Sequence, residues 1–502
     1  MDATEGTLSR DRRVEAALKS NPIDTIRARR AASARRRRRE GRGSRLGAAA
    51  AVAAARLTSP LAQLVNSWWT RLLQAVYAGS LSQQEAEYQD HETRSDYVWN
   101  TVGTALWGMV FPILTIVATQ LAGAEQAGMF SMAFVTGTLL MIAASYGVRT
   151  YQVSDLDERA SFASYQVNRW LTAVAALGIG AVYVGARGYD PLMATVSMGV
   201  YVYKVIDGVG DVYEGRLQQA DKLYLAGISQ ALRSGAAIAS FSVILLLFRN
   251  LAWASVAMAV ATAATLVLVT IPLALLETEK SRRARLGEVV DLLRRCLPLA
   301  AAILLFNLIE SMPKFVMEGA LPYENQLYFN ALYFPAQGIL LTVGFIYKPQ
   351  LLRLASIWGN PRRRRRFDLI VIAMLAVVLA VTLVVMAFMG WAGIPLMGFM
   401  YGLDFERFRA LAYLMVAAGG VTAAIDFLYA IITVLRRQDE VMKLYLIAFA
   451  ASIAAPLVLV NLLGLTGAVV SYLGVMALLL VLLVLEYVAI RRRIARERNP
   501  FH

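Results

Sequence analysis

The chain has 502 residues, of which 58% are hydrophobic and 17% are charged. Soluble proteins average about 45–50% apolar and about 25% charged residues, so this composition excludes an ordinary soluble enzyme and indicates a polytopic membrane protein. The single cysteine, Cys296, excludes a disulfide framework and a cysteine-built zinc site. Because the formal net charge is +15, the distribution of Lys and Arg is the main guide to topology.

Residues 1–98 form a basic tail without a long apolar run. Its unbroken arginine row, Arg35 to Arg39, repels itself and is typical of an unfolded segment. Apolar residues around 61–77 recur at helical spacing and include Trp68 and Trp69. This fits an interfacial helix; the alternatives are a short helix packed on the membrane body or a disordered linker. We expect the tail to be largely disordered and cytoplasmic, and to bind anionic membrane lipid rather than nucleic acid.

Twelve apolar segments follow the tail, each near the ~20 residues that a helical crossing needs. They form two blocks of six, at 99–276 and 297–490, separated by a basic linker at 277–296 and followed by a short tail at 491–502. The expected fold class is therefore all-α, a polytopic membrane protein with two six-helix lobes around a central cavity. The predicted spans are Trp99–Thr119, Ala127–Tyr146, Val167–Val184, Pro191–Ile206, Leu223–Phe248, Leu251–Leu276, Leu297–Glu318, Leu327–Tyr347, Asp368–Met389, Ala410–Leu435, Lys443–Leu463 and Thr466–Ile490.

Basic residues alternate sharply between successive loops. One side of the predicted bundle carries twenty-five Lys and Arg residues in its loops and C-terminal tail, whereas the other side carries four. Because the richer side faces the cytoplasm by the positive-inside rule, both termini are predicted to be cytoplasmic. The sequence has no GxxxxGK[ST] phosphate loop, so a built-in ATP motor is not expected.

Ionisable residues inside the spans mark candidate functional positions, because each costs about 2.5–3.5 kcal/mol at mid-bilayer unless it meets a partner or water. In the seventh span Glu310, Lys314 and Glu318 recur every four residues. Pro313 lies among them, which predicts a bent helix lining a cavity; a self-neutralising Glu310–Lys314 pair is the alternative. Asp426 in the tenth span and Glu318 in the seventh are candidates for ion coupling. The alternative for Asp426 is a pair with a neighbouring basic residue.

In the first block, Arg233 is the most isolated charge, with no acidic residue within a helical turn of it. We expect it to face the cavity rather than to snorkel to an interface, since it lies deep in its span. Asp207, Asp211 and Glu214 share one helix face near a predicted cytoplasmic loop. These carboxylates are expected to be solvated or paired with Arg216; the alternative is an acidic face that attracts cations.

Two motifs and three longer stretches carry a family resemblance. The motifs are the turn Gly123-Ala-Glu-Gln-Ala-Gly128 and the segment Gly147-Val-Arg-Thr-Tyr-Gln-Val-Ser-Asp155, both within residues 100–167. The similar stretches are Asp207–Arg233, Met312–Glu318 and Pro335–Trp358. Together they resemble polysaccharide flippases of the Wzx type, over residues 99–490. The basic tail departs from that pattern, in which the first span starts close to the N-terminus.

The resemblance implies membership of the multidrug/oligosaccharidyl-lipid/polysaccharide exporter superfamily, whose two six-helix lobes alternate between inward and outward openings. For a Wzx-type member it implies that undecaprenyl-diphosphate-linked oligosaccharides are flipped across the bacterial cytoplasmic membrane for cell-surface polysaccharide or lipopolysaccharide biosynthesis. A glycan polymerase and glycosyltransferases are then candidate partners, and no enzymatic activity, cofactor or metal is expected. The alternative is a cation-coupled multidrug exporter of the same superfamily, which the intramembrane Arg233 and Lys314 disfavour.

A diphosphate that crosses a low-dielectric region needs fixed cations, and the forked guanidinium of arginine donates two parallel hydrogen bonds to phosphate. We therefore predict Arg233 as the main substrate-binding residue. Arg149 is expected to receive the headgroup at the cytoplasmic mouth, and Lys314 to take it up from the opposite lobe. Glu310 is expected to hold Lys314 in place or to accept a proton.

Overall fold

Every regular element is helical in the part of the chain that the structure, a computed structural model, describes. Those residues are 94–155, 159–220, 222–351, 354, 357–358, 364–435 and 438–498. The predicted basic tail, with its arginine row and its candidate interfacial helix, lies outside the described residues except for the last few positions, where the first helix begins.

The first group of helices, here called lobe 1, surrounds a central helix, α5. An aspartate at its start, Asp190, accepts a hydrogen bond from the backbone N–H of Leu192, and Pro191 occupies the first helical position, which fixes where α5 begins. Helix α5 packs against α2, α4, α6 and α7, and α1 packs along α6. The elements are α1 (Arg94–Ala122), α2 (Ala124–Ser145), α3 (Val148–Ser154), α4 (Phe162–Arg187), α5 (Pro191–Gln219), α6 (Leu223–Phe248), α7 (Leu251–Thr265) and α8 (Ile271–Glu277).

The second group, lobe 2, is centred on α13, against which α10, α11 and α15 pack, while α9 packs along α14. Its last helix continues through the start of the predicted C-terminal tail, as a basic extension of the apolar span. The elements are α9 (Leu286–Ala320), α10 (Glu324–Tyr347), α11 (Arg364–Phe388), α12 (Ile394–Tyr401), α13 (Arg409–Val434), α14 (Gln438–Leu463) and α15 (Leu465–Arg498).

Eleven helices among the described residues are long and apolar enough to cross a membrane. Two of them are continuous runs, Leu251–Glu277 and Phe367–Tyr401, that pass through a π-helical turn just before an Ile-Pro pair. Proline lacks the N–H of a regular turn and crowds the carbonyl four residues earlier, which accounts for the widened turns. The all-α polytopic fold class is confirmed. Of the twelve predicted crossings, only the seventh, in the polar α9, is not among the eleven.

Helix α9 begins at Leu286, inside the segment predicted as a linker. Its first turns are amphipathic, with Val289, Leu292 and Cys296 buried at helical spacing, so one 35-residue helix joins the predicted linker to the predicted seventh span. Leu292 and Cys296 belong to the same apolar core as Phe162 of lobe 1. The start of α9 therefore packs on lobe 1, although the rest of the helix belongs to lobe 2.

Hydrogen bonds fix the start of α9 to lobe 1. The Glu288 carboxylate accepts from the Ser164 hydroxyl at 2.7 Å and from the backbone N–H of Ser161 at 3.0 Å. These bonds to the charged form hold the pKa of Glu288 below its ordinary value. Two turns further on, the Tyr151 hydroxyl donates to the carbonyl oxygen of Arg295 at 2.8 Å.

Helices α1 and α6 cross closely at two glycines. A Cβ at Gly227 would lie 2.3 Å from the carbonyl oxygen of Trp99, and a Cβ at Gly103 would lie 2.4 Å from the carbonyl oxygen of Gly227. No side chain fits at either position without moving a backbone. The missing side chains therefore set the distance between the two helices.

Candidate functional site

The helix ends fall on two sides of the bundle. One side, here called the basic end, holds Arg149, Lys222 and Lys348, and it is the side that the positive-inside rule predicts to be cytoplasmic. The other side, the opposite end, holds Arg187 and the turn at Tyr323 between α9 and α10. All positions in the site are described relative to these two ends.

The two lobes meet mainly where α2 of lobe 1 packs against α9 and α10 of lobe 2, and α4 also packs against α9. Phe111 of α1 stacks on Phe134 of α2 with ring centroids 4.2 Å apart. The same ring contacts Phe334 of α10 edge-on, at a centroid distance of 5.3 Å. These three rings form an aromatic row that passes from one lobe to the other.

From this row toward the basic end, α10 has an exposed face, which we interpret as one wall of a cleft between the lobes. From Phe334, the same face of α10 continues as Gly338, Leu341, Phe345 and Lys348, because these positions recur at helical spacing. Leu341 and Phe345 are 51% and 55% exposed, whereas Phe334 is packed against lobe 1. On the basic side of the row, this face of α10 is therefore not covered by lobe 1.

Arg233 lies inside lobe 1, not in this cleft. Its Nε donates to Asp207 Oδ1 at 2.8 Å and its Nη1 donates to Glu214 Oε1 at 2.7 Å, and all three side chains are buried. The expectation that Arg233 is an isolated charge is wrong, because its two partners come from the neighbouring helix α5 and not from its own helix. Its predicted contact with substrate stays a prediction.

Two further arginines complete the network. Arg149 of α3 binds Asp211 at 2.7 Å and lies 4.0 Å from Glu214. Arg169 of α4, which is fully buried, binds Asp211 at 3.1 Å. The expectation that the three α5 carboxylates are solvated or paired with Arg216 is therefore wrong, because helices α3, α4 and α6 each bring an arginine to them.

Three carboxylates thus face three guanidiniums, and the formal charges of the network balance. Lys204, one turn before Asp207 on α5, is an additional buried cation, and no carboxylate of the described residues lies within 4.0 Å of its ammonium. The Lys204 Nζ lies 4.1 Å from the ring centroid of Phe134, 5.3 Å from that of Trp107 and 5.5 Å from that of Tyr203. Trp107 in turn donates to Asp207 at 2.5 Å. Lys204 is held by aromatic faces beside the inner end of the cleft.

Lobe 2 carries a second buried lysine in a similar setting. The Lys314 Nζ lies 4.8 Å from the ring centroid of Tyr333 and 5.7 Å from that of Phe329. Within the described residues it has no carboxylate closer than 4.0 Å, so the alternative Glu310–Lys314 ion pair is not formed. Glu310 instead accepts from the hydroxyls of Tyr333 at 2.9 Å and Tyr472 at 3.2 Å. Glu310 is therefore positioned by tyrosines.

The two candidates for ion coupling lie at different ends of lobe 2. At the basic end, Asp426 accepts from the Tyr347 hydroxyl at 2.6 Å, and the Lys348 ammonium lies 3.7 Å away. This contact fits the alternative that Asp426 partners a neighbouring basic residue. At the opposite end, Glu318 is buried against three donors of lobe 1: Arg187 at 2.9 Å, the Tyr183 hydroxyl at 3.0 Å and the Tyr189 hydroxyl.

The structure thus divides the predicted site residues among four places instead of collecting them in one cavity. Arg169 and Lys204 are not among the predicted site residues, although both lie in predicted spans and an ionisable residue in a span is itself the signal. Among the described residues, no group of three His, Cys, Asp or Glu side chains could hold a metal ion. The predicted residues lie as follows: Arg149 and Arg233 in the lobe 1 network, Lys314 and Glu310 near the aromatic row, Asp426 at the basic end and Glu318 at the opposite end.

No family model and no curated protein sequence matches the chain. Solved structures do resemble it, among them an inward-facing conformation of a multidrug resistance MATE family transporter of the MOP superfamily. That likeness has a TM-score of 0.59 and 13% identity, and it covers 80% of this chain and 100% of the other. At this identity the comparison shows the fold, which is that of MATE transporters.

Two further structures give the same result. A MOP superfamily transporter from Pyrococcus furiosus, whose reverse polarity of binding pocket suggests a different function, matches with a TM-score of 0.53 at 13% identity, over 81% of this chain and 96% of the other. The eukaryotic MATE transporter AtDTX14 matches with a TM-score of 0.53 at 15% identity, over 81% of this chain and 99% of the other.

Proposed function

We propose that the protein is a membrane transporter that carries a lipid-linked oligosaccharide diphosphate through the cleft between its lobes, from the basic end to the opposite end. The fold supports transport by lobes that open alternately. The observation that carries the choice of substrate is Lys204, a buried cation in excess of the balanced network of lobe 1. An excess buried cation is costly unless an anion compensates it, and a diphosphate does so.

The cleft suits an amphipathic molecule because its charged and apolar parts are separate. Leu341 and Phe345 present an exposed apolar face along α10, on which a lipid chain can lie. Lys348 and the 32% exposed side chain of Arg149 lie at the basic end, where a headgroup enters. In this proposal Arg233 acts indirectly, by fixing the helix that carries Lys204.

The test is flipping of a fluorescent undecaprenyl-diphosphate oligosaccharide in proteoliposomes. We expect Lys204→Met to lower the initial rate by about tenfold or more, since one charge-assisted hydrogen bond contributes roughly 1.5–3 kcal/mol. Lys204→Arg should retain part of the rate because the charge remains. Lys443→Met is the matched control, since Lys443 is exposed on α14. An unchanged rate in well-folded Lys204→Met protein would contradict the proposal.

A second candidate is a cation-coupled multidrug exporter; the first of the structural neighbours is called a multidrug resistance transporter. One observation in this chain favours it: the Glu310 carboxylate is positioned by two tyrosine hydroxyls and has no basic side chain of the described residues within 4.0 Å. Such a carboxylate suits an organic cation. Ethidium efflux that depends on Glu310 and persists in Lys204→Met would establish the exporter and exclude the flippase.

A further inference from the structure

The contact between the lobes at the opposite end is built from one acceptor and three donors. Glu318 of α9 supplies the acceptor, and its side chain is 1% exposed. Arg187 and Tyr183 both donate to its Oε2, at 2.9 Å and 3.0 Å, and the Tyr189 hydroxyl donates to its Oε1. Both carboxylate oxygens of Glu318 are thus bound, and the carboxylate is shielded from water.

All three donors belong to lobe 1, whereas the acceptor belongs to lobe 2. Arg187 and Tyr183 lie in the last two turns of α4, and Tyr189 follows in the turn to α5. The rings of Tyr183 and Tyr189 contact each other edge-on, at a centroid distance of 6.3 Å. When the lobes part at this end, the donors therefore stay together and the carboxylate leaves.

We infer that Arg187, Tyr183 and Tyr189 form an anion-binding site at the exit of the transport path, and that Glu318 occupies this site while the lobes are closed there. The inference rests on the proposed function for the identity of the anion, which is the diphosphate of the substrate. A guanidinium and two hydroxyls that already bind a carboxylate also suit phosphate oxygens, because both ligands offer paired anionic acceptors.

Replacement of the Glu318 carboxylate by the diphosphate links binding of the substrate to parting of the lobes at the opposite end. Parting of the lobes with the site empty breaks the Arg187–Glu318 ion pair and the hydrogen bonds from two tyrosine hydroxyls, so the empty open state is disfavoured. A diphosphate in the site removes that cost, and it binds only after Glu318 has left. The ligand therefore favours the open state by its differential affinity, and Glu318 closes the exit again when the ligand is released.

The simpler possibility is that the Glu318 contact only ties the lobes together, with no ligand role for its donors. An anion-binding site and a contact that only ties the lobes together predict different responses to an added anion once Glu318 is replaced by a neutral residue. Spin labels at Thr195 of lobe 1 and Glu324 of lobe 2 report the opening, since both residues are exposed near the opposite end and contact none of the donors. They are introduced as cysteines with Cys296→Ala, and their separation is measured by double electron–electron resonance.

We expect Glu318→Gln to lengthen the distance between the labels, because the amide loses the charge that holds Arg187. Added inorganic pyrophosphate should lengthen it further in Glu318→Gln and have little effect on the parent protein. The second shift should disappear in Glu318→Gln/Arg187→Gln and be weaker, but present, in Glu318→Gln/Tyr189→Phe. The milder Tyr189→Phe change guards against loss of folded protein in the double variant.

Two results would overturn the inference: no response to pyrophosphate in Glu318→Gln, or an equal response without Arg187. A parallel experiment with farnesyl diphosphate distinguishes a lipid-borne diphosphate from a free one. If farnesyl diphosphate lengthens the label distance at a lower concentration than pyrophosphate does, the site is assigned to a lipid-borne diphosphate. The measurement is independent of transport. A normal pyrophosphate response together with absent flipping would contradict the proposed function and leave the anion site standing.

Discussion

Arg233 donates to two buried carboxylates of α5, so its removal takes the nearest cation away from both Asp207 and Glu214. Breaking a buried ion pair in this way costs about 3–5 kcal/mol. We therefore expect Arg233→Ala to lower the thermal unfolding temperature in detergent, and any loss of export to follow the loss of folded protein. Arg233→Lys should be nearly as damaging, because one ammonium cannot replace the fork that reaches both Asp207 and Glu214.

Arg295→Ala is the control for this measurement. Arg295 forms an exposed ion pair with Asp291 at 2.8 Å, one helical turn away. Exposed pairs contribute about 0–1 kcal/mol, so its replacement should change the unfolding temperature little. If Arg233→Ala unfolded at the parent temperature yet lost transport, Arg233 would regain the substrate role that the sequence predicts.

The sequence identified most of the buried charges of the site but few of their partners. Arg233, Glu310, Lys314 and Glu318 stand out because each interrupts an apolar span. Their neighbours along the helix are visible in the sequence, whereas a partner on another helix depends on how the helices pack. For that reason Arg233 is predicted as isolated when it is paired, and the three donors around Glu318 are not foreseen at all.

At the scale of helices, the crossing of α1 and α6 is set by backbone contact at Gly227. A Cβ there would lie 2.3 Å from the Trp99 carbonyl oxygen, so Gly227→Ala must push the two helices apart. Overpacking of this kind typically costs about 1–3 kcal/mol. We expect a lower unfolding temperature for Gly227→Ala, measured in detergent. Gly108→Ala, in the partner helix α1, meets nothing within 4 Å and should be neutral or slightly stabilising. Equal unfolding temperatures for Gly227→Ala and Gly108→Ala would contradict the close crossing.

The helices themselves follow well from apolar runs, but the boundary between linker and span does not. The basic residues between Lys280 and Arg295 read as a loop, yet Val289, Leu292 and Cys296 make one apolar stripe among them. So short an apolar stripe can be recognised as a buried helix face only when the core of lobe 1, against which it packs, is known. Tertiary packing thus extends α9 beyond what hydropathy predicts.

For the whole molecule, a side chain at Gly128 should act as a wedge between the lobes. A Cβ at this position of α2 would lie 1.9 Å from the carbonyl oxygen of Tyr323, at the opposite end. We expect Gly128→Ala to favour the state in which the lobes are apart there, and to lengthen the distance between labels at Thr195 and Glu324. Gly185→Ala is the control, because nothing lies within 4 Å of its added Cβ. An unchanged distance in Gly128→Ala would mean that the lobes do not part at this contact.

The orientation of the molecule in its membrane follows from the distribution of basic residues and is tested by reporter fusions. Fusions after Lys222, Arg285 and Arg437 should report the cytoplasm, and fusions after Arg187, Tyr323 and Tyr401 the exterior. The basic end described above would then be the cytoplasmic end of the cleft. Two or more reversed reporters would refute this orientation and, with it, the direction of transport.

Helix α9 is bound to lobe 1 at both of its ends, through Glu288 near its start and Glu318 near its finish. The connection between the lobes is therefore a helix attached at both ends and not a flexible linker. Pro298 and Pro313 are the places where this helix can bend while one end stays attached. We expect strain introduced at one attachment to be transmitted to the other, and thermodynamic reciprocity then makes that coupling equal in both directions. A change at the Ser161–Ser164 attachment on one face of the membrane should thus alter how long the exit on the other face stays shut.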